Sequence, residues 1–309
     1  MKPKEEMVVV GSVALDTVET VHGKRREALG GAAVYCSLAS RYFARPMMIG
    51  VVGTDFPKRY LTLVRRTGID TEGVQQVAGE SFRWAGKYSP DGNVAHTLET
   101  RLGVFSEFKP RVPDSYRSAK VLFLANIDPE LQFHVLTRMN GALSGGDTMN
   151  FWISQKRAHL LKVLRRLHLM FLNDQEARML TGEHNLIKAA RGLLRMGPRA
   201  AVVKKGEHGS MICTDSSFRF CPPHPVQVVK DPTGAGDSYA GAFMGYLAQK
   251  KIRPDRLTPD LLACASAYGS VVSSFTVQSF GVGGLLSMKW PLILQRLKTL
   301  RRLVHLPSK

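Results

Sequence analysis

The chain has 309 residues, 44% hydrophobic, 22% charged and 8% aromatic, a composition that excludes disordered, collagen-like and disulfide-scaffold proteins. Lys and Arg outnumber Asp and Glu by 43 to 25, a net charge of +18. Such an excess favours phosphate-bearing or polyanionic partners, but it equally fits a basic surface spread over the whole molecule. No uninterrupted apolar stretch reaches the ~18 residues of a membrane span. The opening Met1-Lys2-Pro3-Lys4-Glu5-Glu6 lacks the apolar segment of a signal peptide, so a soluble cytoplasmic protein is expected.

In chain order, Met7–Val10 reads as a short apolar strand ending at Gly11-Ser12. Ala32–Tyr42 reads as a helix, Met47–Val52 as a strand, and Tyr60–Thr67 as a helix closing on Gly68. Val121–Ala125 is a buried strand, followed by helices at Glu130–Met139 and Leu160–Leu167. Leu169–Leu172 is a strand, and Asp174–Leu180 a short helix stopped by Gly182. Leu186–Met196 is a helix ended by Gly197-Pro198, and Ala200–Lys204 and Val226–Val229 are strands. Strand–helix alternation of this kind predicts an α/β protein with a mostly parallel sheet covered by helices on both faces.

Two stretches break the rhythm. Thr17–Leu29 alternates and turns at His22-Gly23-Lys24, and Phe82–Phe105 turns at Ser89-Pro90-Asp91-Gly92-Asn93. Neither is apolar enough to stand alone. They read either as a small β-sheet lid over one edge of the main domain, or as two solvated hairpins. The run from Lys289 to Lys309 has six Lys or Arg and no acid. Its Trp290, Ile293, Leu297, Leu300 and Val304 recur at helical spacing, which fits a terminal helix docked on the core better than one lying on a membrane. Cys36, Cys213, Cys221 and Cys264 stand too far apart for a paired metal motif and read as small core residues. No two of the nine histidines are three or four residues apart, so a helical zinc pair is excluded.

The chemistry concentrates in Lys230-Asp231-Pro232-Thr233-Gly234-Ala235-Gly236-Asp237. Asp-Pro makes a turn, and three residues with little or no side chain then open a helix running to about Gln249. Free N–H groups and the helix dipole make such a start an anion site. Asp237, in the first turn, reads either as a helix cap or as the base that takes a hydroxyl proton while the N–H groups hold a transferring phosphoryl group. No G-x-x-x-x-G-K-[ST] loop and no G-x-G-x-x-G fingerprint competes with it.

This segment resembles the second signature of the PfkB, or ribokinase-like, carbohydrate and nucleoside kinases, D-[PT]-x-G-A-G-D, complete from Asp231 to Asp237. Further elements resemble that family in order: Gly11-Ser12 with Asp16, Gly30-Gly31-Ala32-Ala33, Gly53-Thr54-Asp55, Asn173-Asp174-Gln175-Glu176, Lys204-Lys205-Gly206-Glu207-His208-Gly209, and Gly281. The resemblance spans roughly residues 7 to 285. It implies a single ribokinase-like domain over 1–309, a three-layer αβα sandwich with a central mostly parallel sheet and a small β-sheet lid from about 16–30 and 82–105. It implies transfer of the ATP γ-phosphate to a primary hydroxyl of a sugar, with Asp237 as base and Gly234-Ala235-Gly236 as anion hole. Lys204, Gly206, Gly209, Thr233 and Gly281 would line the nucleotide, and Asp16, Gly30, Gly31 and Tyr35 the acceptor. Mg²⁺ would sit near Asn173 and Glu176 through water, a pair that equally forms a helix capping box. A monovalent cation such as K⁺ would sit near Asp231 and Thr233.

One departure stands out. Where much of the family has a substrate-binding Asn four positions after the glycine pair, this chain has Tyr35. The aromatic would either stack on a ring or belong to the core. Stacking, together with Phe82 and Trp84, would suit a nucleoside acceptor, the alternative to a sugar. A catalytically inactive binding relative is the third reading, disfavoured by the intact Asp237 and glycine loop. Exposed lid edges would be covered by a second copy, giving a homodimer. Neither a membrane nor, despite the charge, nucleic acid is an expected partner.

Overall fold

The computed structural model describes residues 5–139 and 141–303. The elements in chain order are β1 (Glu6–Val10), β2 (Ala14–Thr20), β3 (Gly23–Gly30), α1 (Ala32–Ser40), β4 (Arg45–Gly53), α2 (Lys58–Arg66), β5 (Val74–Val77), β6 (Phe82–Tyr88) and β7 (Ala95–Arg101). There follow β8 (Val121–Leu124), α3 (Pro129–Leu136), β9 (Leu143–Gly146), α4 (Asn150–Gln155), α5 (Arg157–Leu164), β10 (Leu169–Asn173), α6 (Asp174–Thr181), α7 (Leu186–Arg195) and β11 (Ala200–Lys204). The last are β12 (Ser210–Thr214), β13 (Phe218–Cys221), α8 (Ala235–Gln249), α9 (Pro259–Thr276), α10 (Gly283–Ser287) and α11 (Trp290–Leu303).

A nine-stranded sheet runs β13-β12-β11-β10-β9-β8-β1-β4-β5. It is parallel from β11 to β5, and β12 and β13 add antiparallel at one edge. Because strand side chains alternate, each central strand feeds two cores. Val9, Phe123, Phe171 and Val202 join one core with α1, α8, α9 and α11; Val10, Leu124, Leu172 and Val203 join the other with α3, α5, α6 and α7. Parallel strands end together at one edge of the sheet, and there the conserved chemistry of such folds has room to gather.

The two irregular stretches form a separate four-stranded sheet, β3-β2-β6-β7. β2 pairs antiparallel with β3 and parallel with β6, and β6 antiparallel with β7. The lid therefore exists as one sheet, and its first turn falls at Val21-His22, one residue before the expected place. Asp55 fixes it to the body: its carboxylate accepts from Ser81 N at 2.8 Å and Ser81 Oγ at 2.6 Å, and pairs with Arg83 at 2.7 Å.

Some expectations fail. Val226–Val229 is irregular rather than a strand. Pro222, Pro223 and Pro225 just before it lack N–H donors, and Val228 and Val229 stay 45% and 40% exposed, so no neighbouring strand covers them. Cys264 is exposed, on an outer turn of α9, whereas Cys36, Cys213 and Cys221 are buried as expected. The terminal helix docks on the core through Ile293, Leu297 and Leu300; Val304, Lys309 and the opening Met1–Lys4 lie outside the described residues. No helix among the described residues is long and apolar enough to cross a membrane.

Candidate active site

The anion loop is built by close packing of α8 on α1. Gly241 and Gly245 let the two helices approach: a Cβ at 241 would lie 2.4 Å from Cys36 O, and one at 245 3.0 Å from Ser40 Cβ. That contact brings the start of α8 over the start of α1. Gly234 takes a left-handed φ of 74°, and a Cβ there would land 2.4 Å from the ring of Tyr35. Tyr35 is 2% exposed, so it forms the floor of the loop, and its ring is not free to stack on a ligand. Its hydroxyl is buried with no partner, and the charges that act on it are those of Asp16, Asp231 and Asp237.

The N–H groups of the loop divide. Ala235 N bonds Pro232 O at 3.1 Å, closing the turn, and Thr233 N bonds the Asp231 carboxylate at 2.9 Å. Ala235 therefore offers no donor to an anion, contrary to expectation. Gly236 and Asp237, whose N–H groups have no acceptor among the described residues, do. Burial, followed by the nearby Asp147 carboxylate, pushes the Asp237 carboxyl up to about 6, against a smaller pull down from Lys204.

Asp16 leaves β2 into the same region. Gly30 and Gly31 exist there for it: a Cβ on Gly30 would sit 1.8 Å from Asp16 Oδ2, and Gly31 adopts a φ of 96° against Ser12 O. Burial raises the Asp16 carboxyl to about 7; a hydrogen bond from Gly31 N–H opposes this, and Asp231 and Asp237 add to it. Asp231, 1% exposed, accepts from Thr233 N and, at 2.8 Å, from Gly281 N, tying two loops. Asp16, Tyr35, Asp231 and Asp237 thus share one electrostatic neighbourhood.

Lys204, at the end of β11, extends its stem across Gly236, with Nζ 3.1 Å from where a Cβ would be. Its ammonium pairs with Asp147 at 2.6 Å. Asp147 and the lid residue Tyr88, whose hydroxyl accepts from Thr233 Oγ1 at 3.2 Å, were not among the expected site residues. Asn173 and Glu176 form a reciprocal capping box, Glu176 N to Asn173 Oδ1 and Asn173 N to Glu176 Oε2, both 2.7 Å. Burial first raises the Glu176 carboxyl, to about 7. Gly206 and Gly209 have φ of 54° and 77°, and a Cβ on Gly209 would strike Cys221 O at 2.1 Å. They shape the rim of the site, where the lid tip reaches over: Asn93 Nδ2 bonds Glu207 Oε1 at 3.2 Å, and Thr20 Oγ1 bonds Lys230 O at 2.8 Å. A cavity of about 330 Å³ opens there between Thr20, Asp91, Glu207 and Val228.

The implied ions fit unequally. Glu176 keeps one carboxylate oxygen outside the capping box, and among the described residues no three His, Cys, Asp or Glu side chains are arranged to hold a metal ion by themselves. One carboxylate plus waters and substrate phosphates is how Mg²⁺ is commonly held, so these residues fit it. At the other position both Asp231 oxygens already have N–H donors and the Thr233 hydroxyl is tied to Tyr88. Each of these oxygens keeps a lone pair, so the side chains offer a monovalent cation only shared oxygens, without excluding it.

A profile of the pfkB family carbohydrate kinases matches residues 4–288. The chain is 33% identical over 249 residues to a cytidine kinase of Thermococcus kodakarensis, covering 78% of this chain and 88% of that one. It is 28% identical to a nucleoside kinase of Methanothermobacter thermautotrophicus, covering 91% and 92%. Its fold superposes on the crystal structure of Methanocaldococcus jannaschii nucleoside kinase with a TM-score of 0.74 at 21% identity, over 96% and 99% of the two chains.

Proposed function

Because the chain belongs to the pfkB carbohydrate kinase family, we propose that it is an ATP-dependent nucleoside kinase acting on a primary hydroxyl. The observation that carries the choice of acceptor is the likeness to a cytidine kinase at 33% identity, against 30% for a ribokinase and 25% for a probable fructokinase. A nucleoside, rather than the free sugar first expected, also fits the lid. Trp84 pairs in register with Asp16 and so shares its face of the lid; its ring lies over Gly86, and its Nε1 donates to Thr97 Oγ1 at 3.2 Å. Phe82 is already stacked on Phe105, with centroids 5.3 Å apart.

In this reading Asp16 holds acceptor hydroxyls and Asp237 takes the proton of the attacking one. The N–H groups of Gly236 and Asp237 hold the charge that develops on the phosphoryl oxygens, and Lys204 faces the same oxygens. Gly206, Gly209 and Gly281 let backbone approach the nucleotide. Mg²⁺ near Glu176, when bound, neutralises phosphate charge. The test is ATP consumption by the purified chain over cytidine, other nucleosides, ribose and fructose. Cytidine or another nucleoside is expected to give the highest kcat/KM; a preference for a free sugar would overturn the acceptor, and no turnover with any would overturn the kinase.

A homodimer through the lid belongs to the same proposal. Every residue of β7 is exposed, and the strand is a free sheet edge carrying Leu98 at 60% exposure. A mass of twice the chain in light scattering at micromolar concentration is expected; a strict monomer would remove the dimer and leave the chemistry untouched.

A further inference from the structure

We infer that Asp147 is a positioning residue that holds the Lys204 ammonium over the anion loop, so that Lys204 meets the γ-phosphoryl group rather than the rest of the nucleotide. The inference rests on the phosphoryl-transfer reading of the loop.

Asp147 follows β9 and is held on several sides. Its N–H bonds Leu124 O at 2.9 Å, its Oδ1 accepts from Thr148 N at 2.8 Å, and its carbonyl accepts from the buried Gln132 amide at 2.8 Å. The carboxylate is therefore a fixed object, and its remaining oxygen, Oδ2, accepts from Lys204 Nζ at 2.6 Å. The two side chains are 5% and 17% exposed. A free lysine has four rotatable bonds and would wander; this one is aimed.

Gly236 supplies the second half of the argument. Its backbone needs no left-handed angle, since it is absent from the positive-φ glycines. What it needs is the space, because the Lys204 stem crosses where its Cβ would be, with Cδ, Cε and Nζ all within 3.7 Å. The bare residue and the aimed ammonium therefore belong together: the cation lies directly beside the free N–H groups that open α8. Glu176 and Asp237 also face it, so the ammonium stands among three carboxylates and next to the one place built for an anion.

A double-mutant cycle on the full chain tests this, read by equilibrium binding of a non-hydrolysable ATP analogue and of ADP, and by kcat. The binding arm needs no acceptor, so it stands even if the nucleoside reading fails. Lys204→Met is expected to weaken the analogue about tenfold or more, the worth of a charge-assisted hydrogen bond, and ADP less than threefold. Asp147→Asn is expected to do the same, and to lower kcat by up to about a hundredfold with acceptor KM unchanged, as misplacement does. The double variant should be no worse than Lys204→Met. Asp147→Asn takes from a buried ammonium its hydrogen-bonded carboxylate, whereas the double variant removes the charge as well and serves as the folded control. If the single variant fails to fold, Asp147→Glu, which keeps the charge on a longer arm, replaces it. Additive losses would overturn the inference, as would an equal loss of ADP affinity. So would a higher Mg²⁺ requirement on removing Asp147 in the Lys204→Met background, which would make Asp147 a metal ligand.

Discussion

Asp237→Asn is expected to lower kcat by about 10²–10⁴-fold, the usual cost of losing a general base, with ATP affinity little changed. The substitution keeps the size of the side chain and the N–H donors of the loop, so binding and chemistry separate. The melting temperature should hold or rise, and the sign follows from the carboxyl itself. In the fold its pKa is about 6 against an ordinary 3.8, so the native state holds the proton more tightly than the unfolded chain does. That contribution to stability is complete below about 3.8 and is lost as pH rises through about 6. At neutral pH the wild-type protein therefore carries a buried ionised group that Asn does not. The same pKa sets the acid limb of activity: kcat/KM should rise through about pH 6 as the base ionises, and that limb should vanish in the variant. Turnover near the wild-type level, or an unchanged limb, would remove Asp237 from its role.

How far the sequence carried depended on whether each feature is local. β1, β4, β8, β10 and β11 are legible because a strand buried on both faces is a plain apolar run bounded by turn residues. Helix α9 escapes such reading: its eighteen residues are rich in Ala and Ser and buried over much of their length, so no polar face marks a period. Val226–Val229 misleads for the opposite reason. Its β-branched residues favour a strand, but strand pairing needs a free edge, and nothing local says whether one is present. The glycine loop and Asp237 were readable because their geometry is set within seven residues. Asp147 was not, since its partner Lys204 is 57 residues away and only the order of β9, β10 and β11 brings the two ends side by side. Tyr35 stood open between stacking and core for the same reason: the answer lies in Gly234, which packs onto it from α8.

That packing gives the second large effect. Gly234→Ala places a Cβ at φ 74°, a region L residues rarely adopt, and drives it 2.4 Å from the Tyr35 ring. Neither side can yield cheaply, because the ring is fully buried and the loop is anchored by Ser238 N to Gly234 O at 2.8 Å. The free N–H groups of Gly236 and Asp237 must shift, and kcat is expected to fall by at least about 10²-fold, as when a donor to developing charge is lost. Tyr35→Ala removes the floor instead of striking it. It should cost about 3–5 kcal/mol of stability, in the range of large aromatic truncations in cores, and lower kcat for every acceptor alike. Tyr35→Phe isolates the hydroxyl. A buried hydroxyl without a partner costs the fold about 1–3 kcal/mol, so Phe should raise the melting temperature. If that hydroxyl bonds the acceptor, the same variant also raises acceptor KM, by about tenfold at most for one neutral hydrogen bond. A Tyr35→Phe protein that melts higher and binds the acceptor unchanged would make Tyr35 purely the support of the anion loop. One that melts lower would mean that the hydroxyl has a partner within the fold.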